Sequence, residues 1–347
     1  MNYGTYLNAV RRFLVDNRHQ FGRLLHESVA GDGESIIHID IVAEKHGSEY
    51  HPARVVARGT DRTASFVVNT AVNDRGRDRL TKDFHLLREL GSRFPRTFVP
   101  AVYFTGDVSV PGDGDSPAEL SMFLGEWLEG FHEFHLSHNE ANGCLDTVVW
   151  DTDQGYGILP VDQSESLHNQ AAFILAYYYD PDGFREIFPW HHAAGDFVVS
   201  RLNGGLRVKL ITARQYAPRL IMEQASPENR LQALMLFIAN LTIRMRLDRL
   251  DGVGEIAWAG DHSVGATILG ALDGIRAKIQ DDMCDPALLE AFLAAASRMS
   301  AEDVTRLVME VVGCCDEDAP DMPVIRLHLA DHILLVYRNF QNLSSRP

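Results

Sequence analysis

The sequence is short of cysteine. Cys144, Cys284, Cys314 and Cys315 are all it has in 347 residues, too few and too scattered for a disulfide framework or a zinc ribbon. The adjacent Cys314 and Cys315 are expected to pack as buried neutral thiols, because free cysteine behaves as a small hydrophobe. Long apolar runs are also missing. The richest stretch, Leu231 to Ile243, is broken by Asn240 and falls short of the roughly 20 residues a bilayer crossing needs. The opening segment MNYGTYLNAVRRFLVDNRHQFGRLL has charges throughout and no secretory h-region or cleavage site, so it reads as an amphipathic helix of a cytoplasmic protein. Basic charge is scarce: 32 Lys and Arg face 48 Asp and Glu, a formal net charge of -16. Such a surface repels phosphate backbones and anionic lipid heads, so neither nucleic acid nor membrane is an expected partner. There is no repeat of fixed period and no low-complexity tract.

What is present is enough apolar composition, 46%, to bury two cores, since domains commonly hold about 100 to 200 residues. After a segment rich in glycine and acid, Ala30 to Ser35, β-branched residues dominate Ile36–Val42, Ala53–Val56 and Ser65–Thr70, which predicts a three-strand antiparallel meander with turns near Gly47 and Gly59 to Arg62. Leu80, Phe84, Leu87 and Leu90 form one stripe and predict a helix over Arg77–Phe94, closed by Pro95. Two more strands follow, Val99–Phe104 and Leu120–Trp127, around a loop holding Gly106, Pro111, Gly112, Gly114 and Pro117. From about Ser164 helices are expected to dominate, apart from a hairpin made by Phe197–Val199 and Leu206–Ile211 with its turn at Asn203–Gly204–Gly205. Ser226–Pro227, Asp285–Pro286 and Ser300 with Asp303 carry helix-start chemistry. Val324–Leu343 closes the chain as a helix whose apolar face is expected on Ile325, Leu329, Ile333, Leu334 and Tyr337.

Three strands, a helix, two strands and a helical region containing a hairpin is an order that resembles kinase-like phosphotransferases. LTKDFHLLRELGSRFPRTFVPAVYFTGD resembles their helix C and fourth strand, SMFLGEWLEGF their fifth strand and hinge, and PWHHAAGDFVVSRLNGGLRVKLITARQ their catalytic and metal-binding loops. The chain is accordingly similar to the aminoglycoside phosphotransferase-like branch of that fold over about residues 35 to 220. The implied class is α+β, two-lobed, a small antiparallel sheet lobe beside a larger, mainly helical lobe. The boundaries would be an N-terminal helix and linker over 1–34, a β-rich lobe with one helix over 35–130, and a helical lobe with a short hairpin over 131–347. An inter-lobe hinge would fall near Glu129 to Phe131.

The resemblance implies ATP and Mg as cofactors, and a site whose residues have largely changed. Asn69 stands where the strand-three lysine belongs and brings no charge. Asp83 falls near the helix C acid. His191 takes the place of the catalytic aspartate, a substitution compatible with proton abstraction because imidazole titrates near 6.5. Asp196 falls at the asparagine metal ligand, and Thr212 replaces the metal-binding aspartate. No glycine-rich loop is visible, Gly47 standing alone in EKHGSEYH. Asp182 or Asp151 would supply another acid if either reached the cleft.

Around these, Trp190-His191-His192-Ala193-Ala194-Gly195-Asp196 crowds an aromatic, two titratable rings and an acid into seven positions, a density typical of sites; its alternative is a packed loop with satisfied imidazoles. His132, His135 and His138 recur every third residue and would suit a transition metal, against the plainer expectation that they point to solvent or to backbone carbonyls. Trp127, Trp150 and Tyr156 border a cleft or pack in a core. Tyr177, Tyr178 and Tyr179 read as core and rim, and Asp316 to Asp318 as a solvated loop. The expected function is a catalytically degenerate, pseudokinase-like protein holding a small ligand or a protein partner in its cleft, with His191, His192 and Asp196 at the floor. The alternatives are an active phosphotransferase of a small hydroxylated compound and a histidine-based metalloenzyme.

Overall fold

The computed structural model describes residues 3–30, 36–44, 50–71, 73–111, 118–139, 143–151, 155–202, 205–220 and 224–345. The expected turns at Gly47, Gly112 to Pro117 and Asn203–Gly204 lie outside them. The fold is α+β and divides into two compact units, Met1–Glu129 and Gly130–Pro347. Among the described residues no helix is long and apolar enough to cross a membrane.

The first unit is built on β1 (His38–Ala43), β2 (Tyr50–Arg58), β3 (Thr63–Ala71), β4 (Val102–Val110) and β5 (Ala118–Glu126). They pair antiparallel in the order β1-β2-β3-β5-β4. Alternation along the strands gives the sheet two apolar faces. Val55, Phe66, Val68, Met122 and Leu124 meet Phe13 and Phe21 on one face, supplied by α1 (Tyr3–Asp16) and α2 (Arg18–Leu25). The opening helices are therefore part of the sheet's core rather than an appendage. On the other face Ala71 and Phe123 pack on Leu80 and Phe84 of α3 (Asp74–Arg93). The Asn73 side chain caps α3 by accepting from Gly76 N at 2.7 Å, one of the donors a helix start leaves open. Gly106, expected in a loop, lies inside β4 opposite Met122, where a Cβ would come to 3.5 Å from Phe13. The strand continues because α1 covers it there.

The second unit opens with a three-stranded sheet that hydrophobic patterning does not announce: β6 (Phe134–His138), β7 (Leu145–Asp151) and β8 (Gly155–Ile158). Histidines and polar residues interrupt the alternation in GFHEFHLSHNE, so the segment reads as a hinge loop when it is a strand. Next come α4 (Val161–Tyr178), β9 (Arg185–Ile187), the hairpin β10 (Phe197–Leu202) and β11 (Gly205–Leu210), and β12 (Tyr216–Pro218) paired with β9. Then α5 (Pro227–Arg244), the pair β13 (Leu247–Arg249) and β14 (Ile256–Trp258), and helices α6 (His262–Gln280), α7 (Pro286–Ala296), α8 (Ala301–Gly313) and α9 (Met322–Gln341) complete it.

Caps at Ser226, Asp285 and Ser300 start α5, α7 and α8, the last with Asp303 returning the bond in a capping box. The helices α4 and α6 approach closely because α6 offers Gly270 and Gly274. A Cβ at Gly270 would stand 2.0 Å from the Asn169 carbonyl oxygen. Three readings of the sequence need correction here. All three tyrosines at the end of α4 are buried, with no rim among them. The inner face of α9 is Ile325, His332, Val336 and Phe340, while Leu334 is exposed. Cys314 is exposed and Cys315 half-buried, so the thiol pair is not a core element.

Candidate functional site

Three of the seven residues singled out above belong to the first unit. Asn69 sits in the middle of β3, opposite Pro52 and Phe123, on the face that carries Ala71 toward α3. Asp83 is a buried position of α3. Trp127 follows β5, and the guanidinium of Arg54 lies 5.0 Å above its ring. Arg54 stands on β2 opposite Val67, hence on Asn69's face, and donates to Glu129 at 2.6 Å and to Ser65 at 3.2 Å. A cation thus occupies this face from β2, although strand three has none, and it is held by an acid and an indole.

The other four, His191, His192, Asp196 and Thr212, belong to the second unit. His191 is extended, and His192–Ala194 makes one 3-10 turn. Gly195 closes the turn at φ 65°, a left-handed conformation in which a Cβ would lie 2.9 Å from the Glu133 carboxylate. The left-handed backbone favours glycine here, and a Cβ would also displace the Glu133 side chain. The chain then delivers Asp196 back under its own loop. Asp196 Oδ2 accepts from the His191 backbone N–H at 2.8 Å, and Oδ1 accepts from Arg214 Nη2 at 2.6 Å. The residue is 1% exposed. Its carbonyl accepts from Ile211 N at 2.8 Å, tying the loop to the strand end that precedes half-buried Thr212.

The two histidines differ in kind. His192 is buried against Phe134, Trp190, Phe197 and His168, and burial holds its ring below the ordinary value and neutral. His191 is exposed. Partial desolvation first, then the positive charges of Arg214 and Arg244, keep its ring below the usual imidazole range. His192 is thus packing, and His191 is the solvent-facing member.

Several groups around the loop escaped the sequence reading. Arg219 stacks on Phe188 at 4.1 Å and pairs with buried Glu186 at 3.4 Å. Arg244 of α5 also lies over Phe188, at 5.7 Å, and pairs with Asp321. These partners are tens of residues apart in sequence and leave no local signature; only Arg214 lies within the VKLITARQ string. The spaced histidines also separate. His132 faces Asp151 at 3.6 Å, His138 is exposed at the end of β6, and His135, 2% exposed, lies between Asp248 (3.6 Å) and Glu133 (3.7 Å). The expectation of solvent or carbonyl partners fails for His135, which β6 brings to carboxylates, and for His132, which lies before β6, bridges Val199 of β10 and faces Asp151. Trp150 and Tyr156 form a cross-strand ring pair at 5.5 Å, with Trp150 also against His135 at 4.6 Å. Asp182 pairs with Arg230 at 2.8 Å.

Among the described residues no group of three or more His, Cys, Asp or Glu is placed to hold a metal ion. The arrangement offers one exposed neutral imidazole, a carboxylate sealed beneath it by Arg214, and two arginines, Arg219 and Arg244, over Phe188. No protein-family model matches the chain, and no curated protein matches it.

Proposed function

We propose that the chain is a kinase-like, two-lobed protein that is catalytically degenerate and uses the His191 loop to bind a small ligand or a partner instead of transferring phosphate. The strand order β1-β2-β3-β5-β4 with one helix between β3 and β4, and a helical unit holding the β10–β11 hairpin directly after the loop, support the fold part of the reading. Placement in the cytoplasm belongs to the same proposal, as does avoidance of nucleic acid and membrane surfaces, which rests on the charge of -16.

One observation carries the functional part: Asp196 is already used. An active phosphotransferase needs this position to hold magnesium against the nucleotide phosphates. Here one carboxylate oxygen is taken by Arg214 and the other by a backbone N–H, in a residue almost without exposed surface. A metal would have to displace a 2.6 Å charge-assisted bond, and Thr212 supplies no anion to help. Asn69 adds no cation for the phosphates. The residues present do not fit ATP with Mg.

The second reading, a phosphotransferase of a small hydroxylated compound, has one observation in its favour. His191 is exposed and neutral, and a neutral imidazole can accept a proton. The two readings part in a thermal-shift titration with ATP, ADP and GTP, each with magnesium, with manganese and with chelator. The degenerate reading expects no metal-dependent rise in melting temperature. A rise that chelator abolishes would overturn it.

A further inference from the structure

Two guanidiniums lie on the segment that leads into the His191 loop, and a third holds the loop's far end. Arg219 and Arg244 share the ring of Phe188, three residues before His191, and Arg214 reaches the loop through Asp196. They come from separate elements: the stretch between β11 and β12, the residue after β12, and the end of α5. Their side chains are 22%, 25% and 12% exposed for Arg214, Arg219 and Arg244. That leaves access for a ligand while removing enough water to strengthen its attraction.

The charges nearby do not use up these donors. Among the described residues each arginine pairs with one carboxylate, respectively Asp196, Glu186 and Asp321, and a guanidinium has five N–H groups to place. Arg244 spends one on Cys315 Sγ at 3.3 Å, yet its Nε is buried without a hydrogen-bond partner. Glu186 is a weak counter-ion, since burial pushes its carboxyl up to about 7 against the opposing pull of Arg219. In a chain of net charge -16 this gathers three guanidiniums near an exposed imidazole.

We infer that Arg214, Arg219 and Arg244, with His191 at the edge, form a binding site for a phosphate group, free or as the end of a phosphate monoester. The inference rests on the proposal that this loop binds rather than transfers. A planar carboxylate is satisfied by one arginine fork, whereas donors arriving from three elements suit a tetrahedral oxyanion.

The test titrates the full chain with inorganic phosphate, glycerol 3-phosphate and malonate, each against sodium chloride at matched ionic strength, by calorimetry and melting temperature. Phosphate or glycerol 3-phosphate should bind saturably where chloride and malonate do not. Tighter binding of the ester assigns the site to a monoester, and equal binding assigns it to the free ion. Arg219→Gln, at the most exposed of the three, should weaken binding by about tenfold, with Arg219→Lys intermediate because it keeps the charge and loses the fork. No saturable response beyond chloride, malonate binding as tightly as phosphate, or undiminished affinity in both Arg219 variants and in Arg244→Gln would overturn the site. Phosphate binding together with magnesium-dependent ATP turnover would defeat the non-catalytic reading and leave the phosphate site standing. Loss of both binding and turnover would do the reverse.

Discussion

Raising the pH should loosen the second unit through a single buried imidazole. Burial pulls His135 down, but Asp248 and Glu133 outweigh it and push the ring up to about 9. In the unfolded chain the same ring titrates near 6.5. Between those two values the folded form holds a proton that the unfolded form has lost. Stability from this group is therefore complete below pH about 6.5 and disappears as pH climbs through about 9. At ~1.36 kcal/mol for each pH unit the full interval corresponds to about 3 kcal/mol. Glu133 is 41% exposed on its side chain and screened by water, which brings the working figure to about 2 kcal/mol. Asp248, also held by the N–H groups of Leu136 and Arg249 at 2.8 Å, stays in place when the imidazole is removed. The assay is urea denaturation from pH 6 to 10 followed by tryptophan fluorescence, with Trp150 in ring contact with His135 as reporter. Wild type should lose about 2 kcal/mol more than His135→Gln between pH 7 and 9.5. Parallel pH profiles for the two proteins, or a His135 ring that titrates near 6.5 by NMR, would refute the reasoning.

Two further outcomes concern packing and the loop. Asp196→Ala should cost about 3 kcal/mol, because it strands the Arg214 charge and opens a backbone N–H. At about 2 to 4 °C per kcal/mol for a unit of this size, its melting temperature should fall by roughly 6 °C or more, and a fall under about 2 °C would remove Asp196 as a brace. Gly270→Ala should destabilise by about 3 kcal/mol, since its methyl would enter the Asn169 carbonyl and force α4 from α6; unchanged thermal unfolding would contradict that packing.

What the sequence made legible was whatever lies within one element. The stripe Leu80, Phe84, Leu87, Leu90 places α3 correctly because helical period and burial agree there. The caps at Ser226, Asp285 and Ser300 are local chemistry and are found where side-chain type puts them. The hairpin β10–β11 follows from two β-branched runs flanking glycines. The three-stranded sheet β6–β8 was hidden because its first strand holds only five residues, two of them histidines, and one of these, His135, is buried against Asp248 from far along the chain. The same limit applies at the site. Crowding in Trp190 to Asp196 marked the loop, but what Asp196 does depends on Arg214, and what surrounds His191 depends on Arg214 and Arg244. Those partners are set by the packing of β12 and α5, which no spacing records. Cys314 and Leu334 show the converse error, apolar type taken for burial at the outer edge of a helical unit.

The central claim, that this loop no longer transfers phosphate, is tested most directly by incubating the full chain with γ-labelled ATP and magnesium or manganese over a panel of small hydroxylated compounds. The expected result is no phosphate released or transferred above the protein-free blank, for wild type and His191→Ala alike. Metal-dependent transfer by wild type that His191→Ala abolishes would contradict it and make His191 the base of a working phosphotransferase.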